Sequence, residues 1–315
     1  MIQSFPDEEA RSEEVRKKLA KAFDVAEAAL NFWLRHEKDH HLSKSPLPRA
    51  CLFLGVGLDV QCCRLFRSVI DECQRCEAYT ASILTRSLYE TVLGLAFVLA
   101  KRVRIVIEPK MTKGGKPKLG PTGLPIYRAK VPSKSDPKNW LSREQRAVLF
   151  FAHSYFEKEV TSIERMGKIT GAKREIKKVR KSIDPTKGVE YENAIGAEWA
   201  SILRDWRSYS GLSVADLARV LYKPLHLWYE TVYYFQSRDA HGSDPLQHVE
   251  IADDLVSAIW LSSDRDVYTA LRTAIGIFLA SIHILHENIG FGSDVDSGFL
   301  SLKRRFKSLS SEELA

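Results

Sequence analysis

From Asp59 to Ala100 the chain runs for more than forty residues without a proline, and its apolar residues recur at intervals of three and four. Such a run has one regular solution, a helix or a pair of helices. Ile83, Leu84, Leu88, Val92, Leu93, Leu95, Ala96 and Leu99 make a stripe wide enough to be buried on most sides. Arg86 and Glu90 lie within it, four residues apart and so on one helical face. A buried charge without a partner costs about 3 kcal/mol or more. Other residues must therefore answer this pair.

Charge is unevenly spread. The 315 residues carry a net charge of +7, but residues 101–188 hold 23 Lys and Arg against 8 Asp and Glu, leaving 24 against 32 elsewhere. A basic segment on a mildly acidic body points to a polyanionic partner. The hydrophobic content of 44% excludes a globally disordered chain. The expected division is 1–100 as the first part of a helical bundle, 101–188 as a basic insertion, and 189–315 as the rest of the bundle.

Cys51, Cys62, Cys63, Cys73 and Cys76 fall close together, four of them in the long apolar run. Cys73-x-x-Cys76 has half the spacing of a zinc site, and no second pair follows at suitable spacing. The expectation is buried free thiols, with no metal and no cofactor. The N-terminus MIQSFPDEEARSEE is acidic and lacks the pattern of a signal peptide. Apolar runs such as Thr273–Leu285 look too short to span a bilayer, and this one contains His283. The reading is a cytoplasmic protein with no membrane partner.

Residues 7–36 read as a helix, acidic at its start and basic later, which suits the helix dipole. Helices are expected over about 50–76 and 78–100. At Arg102 the period becomes two, with Val103, Ile105 and Ile107 alternating with charged residues; Ile126–Val131 can answer as a second strand. The intervening Gly-, Pro- and Lys-rich stretch makes a β-hairpin with a mobile basic tip. Ser142-x-x-Gln145 has capping-box spacing and opens another helix. Ser213-x-x-Asp216 caps a short packing helix. Helices are also expected over 190–204, 224–240 and 264–288, whereas the C-terminal LKRRFKSLSSEELA reads as a fraying end.

The best answer to Arg86 and Glu90 is the segment from Tyr234 to His241. Tyr234, Ser237 and His241 stand at i, i+3 and i+7, with Arg238 beside them. An imidazole titrates near neutral pH and suits proton transfer, and a guanidinium can hold a phosphoryl group bidentately. The candidate catalytic set is therefore Arg86, Glu90, Tyr234, Ser237, Arg238 and His241. The competing reading is a polar network that locks two helices together. Lys110, Lys113, Lys116 and Lys118 on the hairpin, with Lys173, Arg174, Lys177 and Lys178 on the basic run 168–187, form the candidate nucleic-acid surface.

Three segments also carry a resemblance: TRSLYE at Thr85–Glu90, WRSYSGLSVADLA at Trp206–Ala218 and YFQSRDAHGS at Tyr234–Ser243. Together they are similar to an uncharacterised bacterial all-helical family, itself distantly related to the HEPN bundles. The resemblance covers about 45–100 and 200–290 and leaves the hairpin and basic run as an insertion. It implies a mainly α, HEPN-like helical bundle with an inserted β-hairpin, paired as a homodimer. HEPN ribonucleases, many of them toxins or antiviral effectors, use an Arg followed after four to six residues by a His. In this chain Arg238 is three before His241, while Arg35/His40 and Arg146/His153 match the spacing. Arg35 and His40 form the alternative catalytic pair. The resemblance thus implies a metal-independent endoribonuclease acting on RNA; the alternative is a non-catalytic adaptor that docks a nucleic acid or a protein partner.

Overall fold

In the computed structural model, residues 6–36, 47–119, 125, 127–133, 140–155, 209–221, 223–235, 249–252, 255–258, 262–289 and 293–309 are described. They are mainly helical. In chain order come α1 (Pro6–Lys18), α2 (Ala20–His36), α3 (Arg49–Gln74) and α4 (Ala78–Leu99). Strands β1 (Val106–Pro109) and β2 (Tyr127–Lys130) follow, then α5 (Arg143–Tyr155), α6 (Val214–Leu221) and α7 (Lys223–Tyr229). A π-helical turn (Glu230–Phe235) continues α7, and the chain goes on through β3 (Val249–Ala252), β4 (Leu255–Ala258), α8 (Asp264–Ile289) and α9 (Ser293–Lys307). Two compact units divide the chain: residues 1–47, 55–96 and 222–315 in one, 48–54 and 97–221 in the other.

The first unit is built around α8. Of its 26 residues 17 are buried, as expected for a helix apolar on every side. Ser263 starts it: the Ser263 hydroxyl accepts the Asp266 N–H at 3.2 Å and donates to the Asp266 carboxylate at 2.5 Å. Helices α2, α7 and α9 pack against α8, and Phe278 stacks on Phe66 of α3 with centroids 4.2 Å apart. At Gly276 an added Cβ would lie 2.2 Å from Trp228 and 3.0 Å from Phe306, so the missing side chain lets α7 and α9 close on α8.

The chain turns from α3 to α4 at Cys76, which holds a positive φ of 63°. The Glu77 N–H bonds to the Glu72 carbonyl at 2.9 Å and the Cys76 N–H to the Cys73 carbonyl at 3.1 Å. This is a Schellman closure with cysteine where glycine is usual. The expected helix over 7–36 is interrupted at Leu19. The stretch expected to fray, from Leu302 onward, begins inside α9; Leu302 is buried there, and Leu309 is buried just past the helix end. The β3–β4 pair was not expected; Val249 faces Ala258 and Ala252 faces Leu255 in an antiparallel ladder.

Helices α4 and α8 are long and apolar enough to cross a membrane, contrary to the expectation that no apolar run is. Most of each is buried within the protein, 72% and 83% of the apolar window, which is also how a core helix in water behaves.

In the second unit, Val103 and Ile105 are buried and anchor the root of the expected β-hairpin. Val106 pairs with Lys130 and Pro109 with Tyr127, antiparallel. Helix α5 opens with a full capping box: the Ser142 N–H donates to the Gln145 side chain at 2.9 Å, and the Gln145 N–H to the Ser142 hydroxyl at 3.1 Å.

Candidate functional site

Arg86 and Glu90 emerge on one face of α4, but that face is not sealed. Their side chains are 24% and 48% exposed, so the expected burial of the pair is corrected by a half-open position. Arg86 Nε lies 3.3 Å from Glu90 Oε1. The third partner is Tyr233 in the π-helical turn: its hydroxyl donates to Glu90, and its ring lies under the guanidinium with Arg86 Cζ 4.6 Å from the centroid. Tyr229 stacks on Tyr233 at 5.0 Å. Buried Tyr89 ties the same helices together by donating to the Leu225 carbonyl at 2.7 Å.

The electrostatics of this cluster are those of a closed set. Burial, reinforced by the Glu90 carboxylate, pushes the Tyr233 phenol far above its usual range, so it keeps its proton. Partial burial opposes the Arg86 charge, yet its contacts with Tyr233 and the Glu90 carboxylate outweigh it and raise its pKa. A guanidinium, a carboxylate and a protonated phenol satisfy one another here. That suits a lock between α4 and the π turn.

Tyr233 of the π turn, one residue before the expected Tyr234, meets Arg86 and Glu90. The Tyr234 backbone lies within this turn. Ser237, Arg238 and His241 fall outside the described residues, as do His40 and the basic group Lys173, Arg174, Lys177 and Lys178. Arg35 sits exposed on the last turn of α2, with its Nε donating to the Asn31 carbonyl at 3.2 Å.

Arg146, which matched the HEPN spacing with His153, is committed elsewhere. It is wholly buried, and its guanidinium donates to the carbonyls of Phe97 at 2.6 Å, Leu141 at 2.7 Å and Ala100. These acceptors include the last carbonyls of α4, where the helix dipole is negative. Burial lowers its pKa to about 10, with the Arg143 charge acting in the same direction. The side chain clamps both chain segments at the hairpin root. His153 stands edge-on to Tyr209 with centroids 6.2 Å apart. This role of Arg146 left no mark in the residue pattern because its partners are backbone carbonyls.

The hairpin carries the expected lysines. Beyond β1 the chain folds back on itself, with the Lys118 N–H bonding to the Lys110 carbonyl at 2.7 Å and the Thr112 N–H to the Lys116 carbonyl at 2.7 Å. Met111 pairs with Pro117 between them. A three-residue loop closes this smaller ribbon, with Gly115 at φ +73°. Residues 110–118 of the tip form a hydrogen-bonded turn. All residues from Lys110 to Leu119 are exposed. At the base, Glu108 is held by Arg128 at 2.6 Å and Lys130 at 3.3 Å, which draw its carboxyl below the usual range.

All five cysteines are free and buried. Burial raises the Cys73 thiol far above its usual pKa, leaving it protonated and unreactive. Among the described residues no group of three or more His, Cys, Asp or Glu is placed to hold a metal ion.

A sequence model described as a family of unknown function, DUF5677, matches residues 53–254. The matched interval runs through the basic segment as well as the flanking helices. No curated protein matches, and no solved structure does.

Proposed function

This chain belongs to the DUF5677 family, whose function is unknown, and from that premise we propose that it is a HEPN-like nucleic-acid-binding or adaptor protein that grips phosphates with its basic hairpin. The observation that carries this reading is the ribbon 110–118, where Lys110, Lys113, Lys116 and Lys118 are all exposed and no acidic residue intervenes. Binding of this kind is electrostatic, independent of sequence and sensitive to salt. The Arg86–Glu90–Tyr233 set supports the adaptor side of the reading, because its charges are already matched within the protein.

The experiment has two arms. Fluorescence anisotropy compares wild type with a variant lacking Met111–Pro125 on labelled DNA and RNA; loss of binding on deletion supports the proposal, and undiminished binding rejects the hairpin as the contact. Incubation with RNA in EDTA compares wild type with His241→Ala. If wild type cleaves and the variant does not, the protein is a metal-independent ribonuclease and the adaptor reading falls.

A further inference from the structure

We infer that the ribbon 110–118 is shaped for B-form duplex DNA rather than for a single strand or an RNA duplex; this rests on the proposal that the hairpin binds nucleic acid. Cross-strand partners share a face, so the Lys110–Lys118 and Thr112–Lys116 pairs place three lysines on one side of the ribbon. Met111 and Pro117 form a pair on the other side. Like charges directly opposite each other destabilise a ribbon. At the root Arg128 stands opposite Glu108, which also pairs with Lys130 two residues along the same strand. The tip contains no such acid, and from Lys110 to Ile126 the sequence has none. A polyanion lying along the lysine face would supply the missing counter-charge.

The kind of polyanion follows from what else the tip lacks. From Lys110 to Ile126 there is no Phe, Tyr, Trp, His or Arg. Single-stranded nucleic acid is held by side chains on which its bases stack, and this stretch offers no such platform. Lysine without a planar group reads charge and position, as backbone contacts to a duplex require. A two-stranded ribbon fits the B-form major groove, about 12 Å wide. The A-form major groove is deep and narrow and excludes it.

The test measures anisotropy with the full chain and four probes: a DNA duplex of about two helical turns, one of its strands, an RNA duplex of the same length and a vesicle containing phosphatidylserine. The DNA duplex is expected to bind at least about tenfold more tightly than the single strand or RNA duplex. Lys110→Ala/Lys116→Ala/Lys118→Ala is expected to reduce the slope of log K against log salt by about 2.7 on that duplex, three phosphate contacts at about 0.9 each. Met111→Ala, on the opposite face, should leave the slope unchanged. Tighter binding to the single strand or RNA duplex overturns the duplex inference and leaves nucleic-acid binding standing. Binding to none of the nucleic acids, or to the vesicle alone, overturns both.

Discussion

Arg146 and Gly276 show how much can hang on one residue. Arg146 gathers three backbone carbonyls in a dry site, so Arg146→Met leaves them without donors and is expected to cost about 3 kcal/mol of unfolding free energy. Urea denaturation measures this, and a loss under about 1 kcal/mol would mean that water or another side chain replaces the guanidinium. At Gly276 even a methyl group meets the Trp228 ring, so Gly276→Ala should destabilise by about 1–3 kcal/mol through overpacking. Tyr233→Phe tests a different point. It removes the hydroxyl donated to Glu90 but keeps the ring under Arg86, so a loss of about 1 kcal/mol is expected, with nucleic-acid binding unaltered. Binding lost with Tyr233→Phe in a folded protein would place the cluster in the interface.

At the scale of elements, the helices were legible wherever local chemistry and periodicity agreed. The capping pairs Ser142/Gln145 and Ser213/Asp216 form as their spacing suggested. Ser142→Ala should cost about 1 kcal/mol, read from the same denaturation curves. Three features were not legible. The π turn changes winding without changing residue type, and the Tyr233 hydroxyl it brings to Glu90 left no mark in the residue spacing. The strand pair β3–β4 is four residues on each side, too short for a period to declare itself. The stretch from Leu302 read as a fraying end because its charge is visible in sequence, whereas the surface that buries Leu302 and Leu309 is not.

The α8–α9 contact also predicts a pH dependence. His283 stacks with Phe299 and lies 3.2 Å from Glu287, while His286 pairs with Asp296. Burial, and after it the Lys303 charge, lowers the His283 pKa below its ordinary 6.5. The unfolded chain therefore takes up this proton more readily than the folded one. Its contribution to stability is present above pH 6.5 and is lost as the pH falls through the folded-state value. His283→Gln should flatten the decline in melting temperature between about pH 7 and 5; an unchanged decline would assign it to other groups.

For the whole molecule, composition alone placed the excess charge in residues 101–188 and suggested a polyanion. It could not show that the lysines of 110–118 share a face, because that depends on the fold-back register. Nor could it show that Tyr233 joins Glu90 in holding Arg86, since the spacing in the chain does not single out that tyrosine. The central claim is that this lysine face, acting by charge, binds nucleic acid. Its most direct test is the affinity of the full chain for a DNA duplex across a salt series, measured beside the Lys110→Ala/Lys116→Ala/Lys118→Ala variant. For wild type log K is expected to fall steeply and linearly with log salt, and for the variant along a line shallower by about 2.7; two parallel lines would rule out the lysine face as the contact.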